Sequence, residues 1–229
     1  MRTIGLLGGM SWESSIEYYR LVNELTRDRL GGMHSAPCVM WSLDFAQVEA
    51  LQRAGDWDAA GELLARVARS VEQAGAELIV LCTNTMHRVA GAVQDAVSVP
   101  LLHIGDATAA AIGAAGLERV GLLGTRHTME AAFLRDRLAG HGIEVAIPRP
   151  EDRDLVHEVI YGELVRGVVR DESRAAYREV IERLVADGAQ GVILGCTEIE
   201  LLVGPAEAAV PLFPTTRIHA QAAVAAALA

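Results

Sequence analysis

One stretch of this chain is written twice. Ile4-Gly5-Leu6-Leu7-Gly8-Gly9 returns as Val120-Gly121-Leu122-Leu123-Gly124-Thr125, and the run from Ala74 to Cys82-Thr83 returns from Asp187 to Cys196-Thr197 with one residue inserted. Both pairs lie about half a chain apart, so a half-domain has been duplicated. A chain of this kind is expected to fold as two similar lobes.

Within each half, short apolar runs alternate with amphipathic segments, the pattern of βα units and a mostly parallel sheet. The fold class is α/β. Strands are expected over 3–7, 39–43, 77–81, 119–123, 144–147 and 190–194. The segment 58–74 puts Leu63, Leu64, Val67, Ala68 and Val71 on one helix face, and 174–187 does the same with Tyr177, Val180, Ile181, Leu184 and Val185. Each of these helices runs into a glycine, Gly75 or Gly188, suited to a left-handed C-cap. Pro100 and the segment from His103 to Asp106 mark the start of the second lobe, and the Ala-rich tail from Ile218 packs back on the first. This gives a discontinuous first lobe, 1–102 plus 212–229, and a second lobe, 103–211.

Composition removes several functions. The 20 basic residues are all Arg, so neither a pyridoxal-phosphate aldimine nor a Walker-type phosphate loop can form. A net charge of −10, spread along the chain, argues against a nucleic-acid partner. No charged leader and no apolar run approaching roughly 20 residues is present, which leads to a cytoplasmic, membrane-free expectation. Cys38, Cys82 and Cys196 make no closely spaced framework, so no disulfide is expected. The seven histidines match no metal-ligand spacing, and no cofactor or metal is expected.

The duplicated cysteines carry the chemistry. Ligands of parallel α/β sheets gather at the carboxyl ends of strands, and Cys82 and Cys196 both stand there, each just before an expected helix start. Helix N-termini favour a thiolate and bind anions, so each thiol is expected to have a lowered pKa and a nearby carboxylate site. Two thiols in equivalent places suit proton removal from one side of a carbon and its return on the other. With Cα about 3 to 3.5 Å from each sulfur, the sulfurs would stand roughly 7 Å apart. Thr83, Asn84, Thr85 and Thr197 offer donors, and Gly8-Gly9 and Gly124-Thr125 end the two leading strands as carboxylate cradles or as plain turns. His87 is expected to be structural. Glu198 either orients a base or the substrate ammonium, or serves as a first-turn helix acid. Cys38, without an echoed partner, belongs to the core.

Gly8-Gly9-Met10-Ser11-Trp12-Glu13, Cys82-Thr83-Asn84-Thr85-Met86-His87 and Gly195-Cys196-Thr197-Glu198 together resemble the aspartate/glutamate racemase superfamily along essentially the whole chain. Gly-Cys-Thr-Glu is similar to the aspartate-racemase branch rather than to cell-wall glutamate racemases, which carry Gly-Cys-Thr-His. The resemblance implies two pseudo-symmetric lobes, each with a four-stranded parallel sheet, an active site between them, cofactor-independent chemistry and a homodimer. It also implies Cys82 and Cys196 as the catalytic pair. Met10, Ser11, Thr83, Asn84, Thr85, Thr125 and Thr197 then match positions lining an amino-acid substrate, with Glu198 beside them.

Two departures bear on specificity. Dedicated aspartate racemases carry an Arg in the loop after the second strand, where this chain reads Ser42-Leu43-Asp44-Phe45-Ala46-Gln47. They also carry a Lys where this chain has Val165, followed by Arg166. A carboxylate at Asp44 would repel a second substrate carboxylate, so the pattern resembles broad-specificity members. Hydantoin racemisation, maleate isomerisation and amino-acid binding without turnover are the competing readings.

Overall fold

The computed structural model describes all 229 residues and divides the chain into two units, Met1–Ile104 with His219–Ala229, and Gly105–Ile218. No helix is long and apolar enough to cross a membrane.

The first unit runs β1 (Ile4–Gly8), α1 (Trp12–Leu30), β2 (Cys38–Ser42), α2 (Phe45–Ala54), α3 (Trp57–Gln73), β3 (Leu78–Leu81), a 3₁₀ turn Thr85–Val89, α4 (Ala90–Asp95) and β4 (Leu101–Leu102). Its four strands are parallel in the order β2-β1-β3-β4. The second runs α5 (Ile104–Ala114, entering from the first unit), β5 (Arg119–Leu123), α6 (Arg126–Glu130), α7 (Ala132–Ala139), β6 (Glu144–Ala146) and α8 (Pro150–Gly162). It continues through a 3₁₀ turn Leu164–Arg166, α9 (Asp171–Ala186), β7 (Val192–Leu194), a 3₁₀ turn Thr197–Leu201, β8 (Leu212–Pro214) and α10 (Thr215–Leu228), which leads back to the first. Its order, β6-β5-β7-β8, repeats the first. Each unit is therefore a four-stranded parallel α/β sheet flanked by helices, the fold class expected.

The six strands read from the sequence form within two residues of the expected ends. The edge strands β4 and β8 carried no pattern of their own. They are two and three residues long, each preceded by a proline, Pro100 or Pro211, and exist because β3 and β7 offer a ladder. β8 also corrects the lobe boundary. Residues from 212 were assigned to the first lobe, but Leu212–Pro214 pairs with Val192–Leu194, and the return falls at His219. From there Ala220, Ala223, Val224 and Ala227 bury against Ile4, Leu6, Leu78 and Val80, and the Arg2 amide donates to the Ala227 carbonyl at 2.7 Å.

The echoed glycines have a shared physical reason. A Cβ at Gly5 on β1 would stand 2.6 Å from Val71 of α3, and one at Gly121 on β5 would stand 2.9 Å from Leu184 of α9. Both helices thus lie close against the middle of a central strand, which only a glycine permits. The expected apolar stripes face inward: Leu64, Ala68 and Val71 of α3 and Tyr177, Val180 and Ile181 of α9 are essentially excluded from water. Gly75 and Gly188 follow these helices with φ of +100° and +98°.

Gly5→Ala and Gly121→Ala are each expected to lower unfolding stability by about 1–3 kcal/mol through overpacking, read as a shift in the urea midpoint with an unchanged m-value.

Candidate active site

Cys82 sits one residue beyond β3. Its amide donates to Leu7 O at 2.9 Å, extending the β1–β3 ladder by one step, and Thr83 N then bonds back to Leu81 O at 2.9 Å and turns the chain. The thiol is fully buried, and Asn84 nearly so. His87 stiffens the turn. Its Nδ1–H donates to Thr83 O at 2.8 Å, and its Nε2 accepts from the Ile104 amide at 3.1 Å. The tautomer is thereby fixed, and His87 has the structural role expected of it.

Beside this turn, β1 ends in Gly8-Gly9. Gly9 has φ +79°, and a Cβ there would overlap the Leu43 backbone at 2.1 Å. The Gly9 amide donates to Ser15 Oγ at 2.8 Å, and that hydroxyl donates to Ser11 O at 2.9 Å. Ser11 caps α1, its Oγ accepting from Ser14 N at 3.2 Å. Met10 is buried in this loop. The first unit therefore brings Met10, Ser11, Cys82, Thr83, Asn84 and Thr85 to the carboxyl ends of two adjacent strands, at the start of a 19-residue helix.

In the second unit Gly195 N donates to Leu123 O at 2.7 Å, and Cys196 follows. The residue as a whole is half-buried; its thiol donates to Glu198 Oε2 at 2.8 Å, and the Thr197 hydroxyl donates to the same oxygen at 2.8 Å. Glu198 thus lies against the Cys196 thiol, besides standing in the first turn of the segment Thr197–Leu201. Thr125 caps α6, its Oγ1 accepting from Thr128 N at 3.3 Å. The turn Leu164–Arg166, which carries Val165 and Arg166, packs against the turn Thr197–Leu201 that follows Cys196.

The expected lowering of the thiol pKa values is overturned. Burial pushes Cys82 well above the ordinary thiol range, with a smaller push from Cys38. Burial, then the Glu198 carboxylate, raises Cys196. The physical reason is that each cysteine precedes a five-residue 3₁₀ turn rather than an α-helix. So short a turn sums too little dipole to offset desolvation.

Three supporting residues went unassigned in the sequence. Ser15 holds Gly9, and Thr215 Oγ1 donates to Leu194 O at 2.9 Å, bracing the end of β7 ahead of Cys196. The Thr215-Thr216 pair that opens the Ala-rich helix α10 was a readable helix-start signal. His219 is fully buried. Its Nε2–H donates to Leu102 O at 2.9 Å, and its Nδ1 accepts from Tyr18 OH at 2.8 Å. Its ring lies 5.4 Å from that of His87. No local pattern announces this contact, because its members lie 201 positions apart.

With this arrangement in view, comparison with known proteins is decisive. A family model described as Asp/Glu/Hydantoin racemase matches residues 7–223. The chain belongs to the Asp/Glu/hydantoin racemase family. A crystal structure of a candidate Asp/Glu racemase from Yersinia pestis is 53% identical over the whole of both chains, with a TM-score of 0.96. PH1733, an aspartate racemase homologue from Pyrococcus horikoshii OT3, is 32% identical over the whole of both chains, with a TM-score of 0.90. The broad specificity amino-acid racemase RacX of Bacillus subtilis is 26% identical over 159 residues, 69% of this chain and 68% of its own.

The buried histidines of this racemase-family protein give its stability a pH dependence. Burial pushes His219 down to about 4 and His87 well below its ordinary value, so both are neutral in the folded state. The unfolded chain takes up these protons near pH 6.5, so stability is full above that value and falls as pH drops toward 4. His219 alone is expected to account for a loss of about 2 kcal/mol between pH 7 and 5, measured as the urea-unfolding free energy at each pH. His219→Gln should flatten that slope relative to the parent.

Proposed function

We propose that this protein racemises a free amino acid without a cofactor, with Cys82 and Cys196 as the two bases acting on opposite faces of Cα. The observation that carries this reading is the equivalence of the two thiols. Each stands directly beyond the third strand of its sheet or one glycine later, each is followed by a threonine, and each has a 3₁₀ turn behind it. A pair of matched acid–base groups is what a reversible reaction between mirror-image substrates requires. With no lysine in the chain, an internal aldimine is not available to acidify Cα.

The raised thiol pKa values fit this role. An amino-acid α-proton is very weakly acidic, and a thiolate formed from a thiol of high pKa is the stronger base toward it. Glu198 supplies the means of forming it. The carboxylate takes the Cys196 proton along the existing 2.8 Å hydrogen bond. The resulting thiolate takes the Cα proton, and the Cys82 thiol delivers its own proton to the other face, leaving Cys82 as the thiolate that begins the reverse reaction. Thr83, Asn84, Thr85, Thr125, Thr197, Ser11 and Met10 are the residues we assign to substrate, with the N-terminus of α1 facing the carboxylate.

The preferred substrates in this reading have neutral or polar side chains. Asp44 stands in the loop after β2, fixed as the cap of α2 by its bond from Ala46 N at 3.1 Å, and Val165 provides no positive charge in the turn that packs on Thr197–Leu201. Similarity to RacX, a broad specificity amino-acid racemase, supports the same assignment. Free thiols at all three cysteines suit a reducing, cytoplasmic setting, and a homodimer completes the proposal.

The test is α-proton exchange in D₂O followed by NMR, with chiral analysis, on aspartate, glutamate and a panel of neutral amino acids without added cofactor. Exchange with formation of the opposite enantiomer is expected, fastest on neutral or polar side chains. Cys82→Ser and Cys196→Ser should each reduce racemisation by about 10²- to 10⁴-fold, and a fully active variant of either kind would overturn the two-thiol mechanism.

Glu198→Gln gives a separate prediction. Loss of the carboxylate removes a cause of the raised Cys196 pKa, so the ascending limb of the kcat/KM profile should move to lower pH. Loss of the proton acceptor should at the same time lower kcat while leaving KM nearly unchanged.

A further inference from the structure

The two cysteine turns are held by different means. Five residues beyond Cys196 stands Leu201, 56% exposed, and support in that half comes from the Thr215 hydroxyl on Leu194 O and from the Glu198 carboxylate. Five residues beyond Cys82 stands His87, which is buried and grips its turn twice. The His87 amide donates to Asn84 O at 3.1 Å, and its Nδ1–H donates to Thr83 O at 2.8 Å. Two consecutive carbonyls directly after Cys82 are thus held by one residue.

The imidazole is itself anchored. Its Nε2 accepts from the Ile104 amide at 3.1 Å. Two residues earlier, Leu102 O at the end of β4 accepts from His219 Nε2–H at 2.9 Å, and His219 Nδ1 accepts from Tyr18 OH at 2.8 Å. The His87 ring centroid lies 5.4 Å from that of His219 and 4.7 Å from that of His103, edge-on in both cases. The segment Leu102–Ile104 is therefore clasped between two imidazoles of opposite tautomer, one giving a hydrogen to it and the other taking one from it. Every member of this clasp belongs to the first unit.

We propose that His87, seated on the segment that His219 anchors, is the positioning residue that sets Cys82 against the substrate donors of its own turn. This deepens, and rests on, the two-thiol reading above. A thiol must stand within about 3 to 3.5 Å of Cα to take or return its proton, and a displacement of about 1 Å costs on the order of 10²-fold in rate. The sheet holds Cys82 through its amide, donated to Leu7 O at 2.9 Å, and beyond that residue the chain leaves the ladder. Thr83, Asn84 and Thr85, which we assign to substrate, all lie past that point. Without a hold on Thr83 O and Asn84 O, rotation of a single peptide plane would swing these donors relative to the thiol. A neutral imidazole suits the task because it donates at one nitrogen and accepts at the other across a rigid ring. Burial, with His219 and His103 beside it, keeps His87 in that neutral form.

The second half has no such imidazole, so loss of the hold acts on one face of Cα. Cys196 keeps Glu198, and proton removal and return on its own face continue.

Two substitutions divide the imidazole's bonds. His87→Asn keeps a donor near Nδ1 for Thr83 O and gives up the Ile104 amide, whereas His87→Gln keeps an acceptor near Nε2 for that amide and gives up Thr83 O. Each loses one buried hydrogen bond, so the urea midpoint should fall in both. In D₂O two rates are then followed, α-proton exchange with retention, which needs one thiol, and formation of the mirror-image amino acid, which needs both. For the enantiomer facing Cys196, His87→Gln is expected to lower the ratio of inversion to retained exchange by about tenfold or more, with His87→Asn staying close to the parent. An unchanged ratio in His87→Gln, or equal losses of both rates, would overturn the positioning role and leave the two-thiol mechanism standing. Long-range ¹H–¹⁵N spectra of the unsubstituted protein need no variant: His87 should show the Nδ1–H form and His219 the Nε2–H form at neutral pH. A hydrogen on Nε2 of His87, or a charged ring at either residue, would overturn the clasp. A parent that neither exchanges nor inverts any amino acid would overturn the racemase reading, and the catalytic purpose of the clasp with it, while the tautomers still report whether the clasp forms.

Discussion

The close approach of one helix to the middle of each sheet sets the geometry of everything else. At Gly5 and at Gly121 the strand has no side chain, so Val71 of α3 and Leu184 of α9 descend to distances that a Cβ would forbid. A helix seated so near the central strand ends where the next strand begins, and the left-handed glycines at 75 and 188 make that reversal in very few residues. β3 and β7 then start at fixed registers against β1 and β5, with Leu81 beside Leu7 and Leu194 beside Leu123. The register fixes where each strand runs out, and hence where each cysteine stands. A glycine in the first strand of each half is thus linked mechanically to a thiol some 75 positions later.

Desolvation and the helix dipole compete at those strand ends, and desolvation wins. A dipole contribution of about 0.3–1 kcal/mol needs an α-helix with several aligned peptides. The turns after Cys82 and Cys196 are single 3₁₀ segments, while the loss of water around a thiolate costs considerably more. Both cysteines accordingly rest protonated. The two units then differ in a useful way. Cys82 is surrounded by apolar side chains and backbone, whereas Cys196 has a carboxylate in hydrogen-bond contact. In the two-thiol mechanism we propose, the first would give a proton and the second would pass one to its carboxylate partner.

Much of this was readable in the amino-acid order. Periodicity located six strands and the two helices that pack on Gly5 and Gly121, because long apolar stripes and repeated glycines are local signals. The paired cysteines were legible from the duplication alone. What the order of residues did not announce has common physical causes. β4 and β8 are decided by pairing with a neighbour rather than by their own two or three residues. The tie from Tyr18 through His219 to Leu102 joins distant parts of the chain, and nothing near His219 distinguishes it from a surface histidine. The direction of the thiol shifts required knowing that the following helices are single 3₁₀ turns, a difference of a few backbone angles that composition does not encode.

The two halves have kept their interiors and parted at their edges. Gly5 and Gly121, Cys82 and Cys196, and the strand orders correspond, as they must where a change would displace a thiol. The edges face no such constraint. β6 begins with an ion-paired glutamate, whereas β2 is uncharged and lies between Trp12, Tyr19 and Met40 on one side and Trp41 on the other. Ten aromatic residues other than histidine occur in the whole chain, and three of them stand exposed around this one strand. Aromatic side chains left in water confer no stability on the monomer, and large exposed apolar patches are costly in solubility. Their concentration beside one uncharged edge, with the related edge charged, is where the two halves have parted furthest.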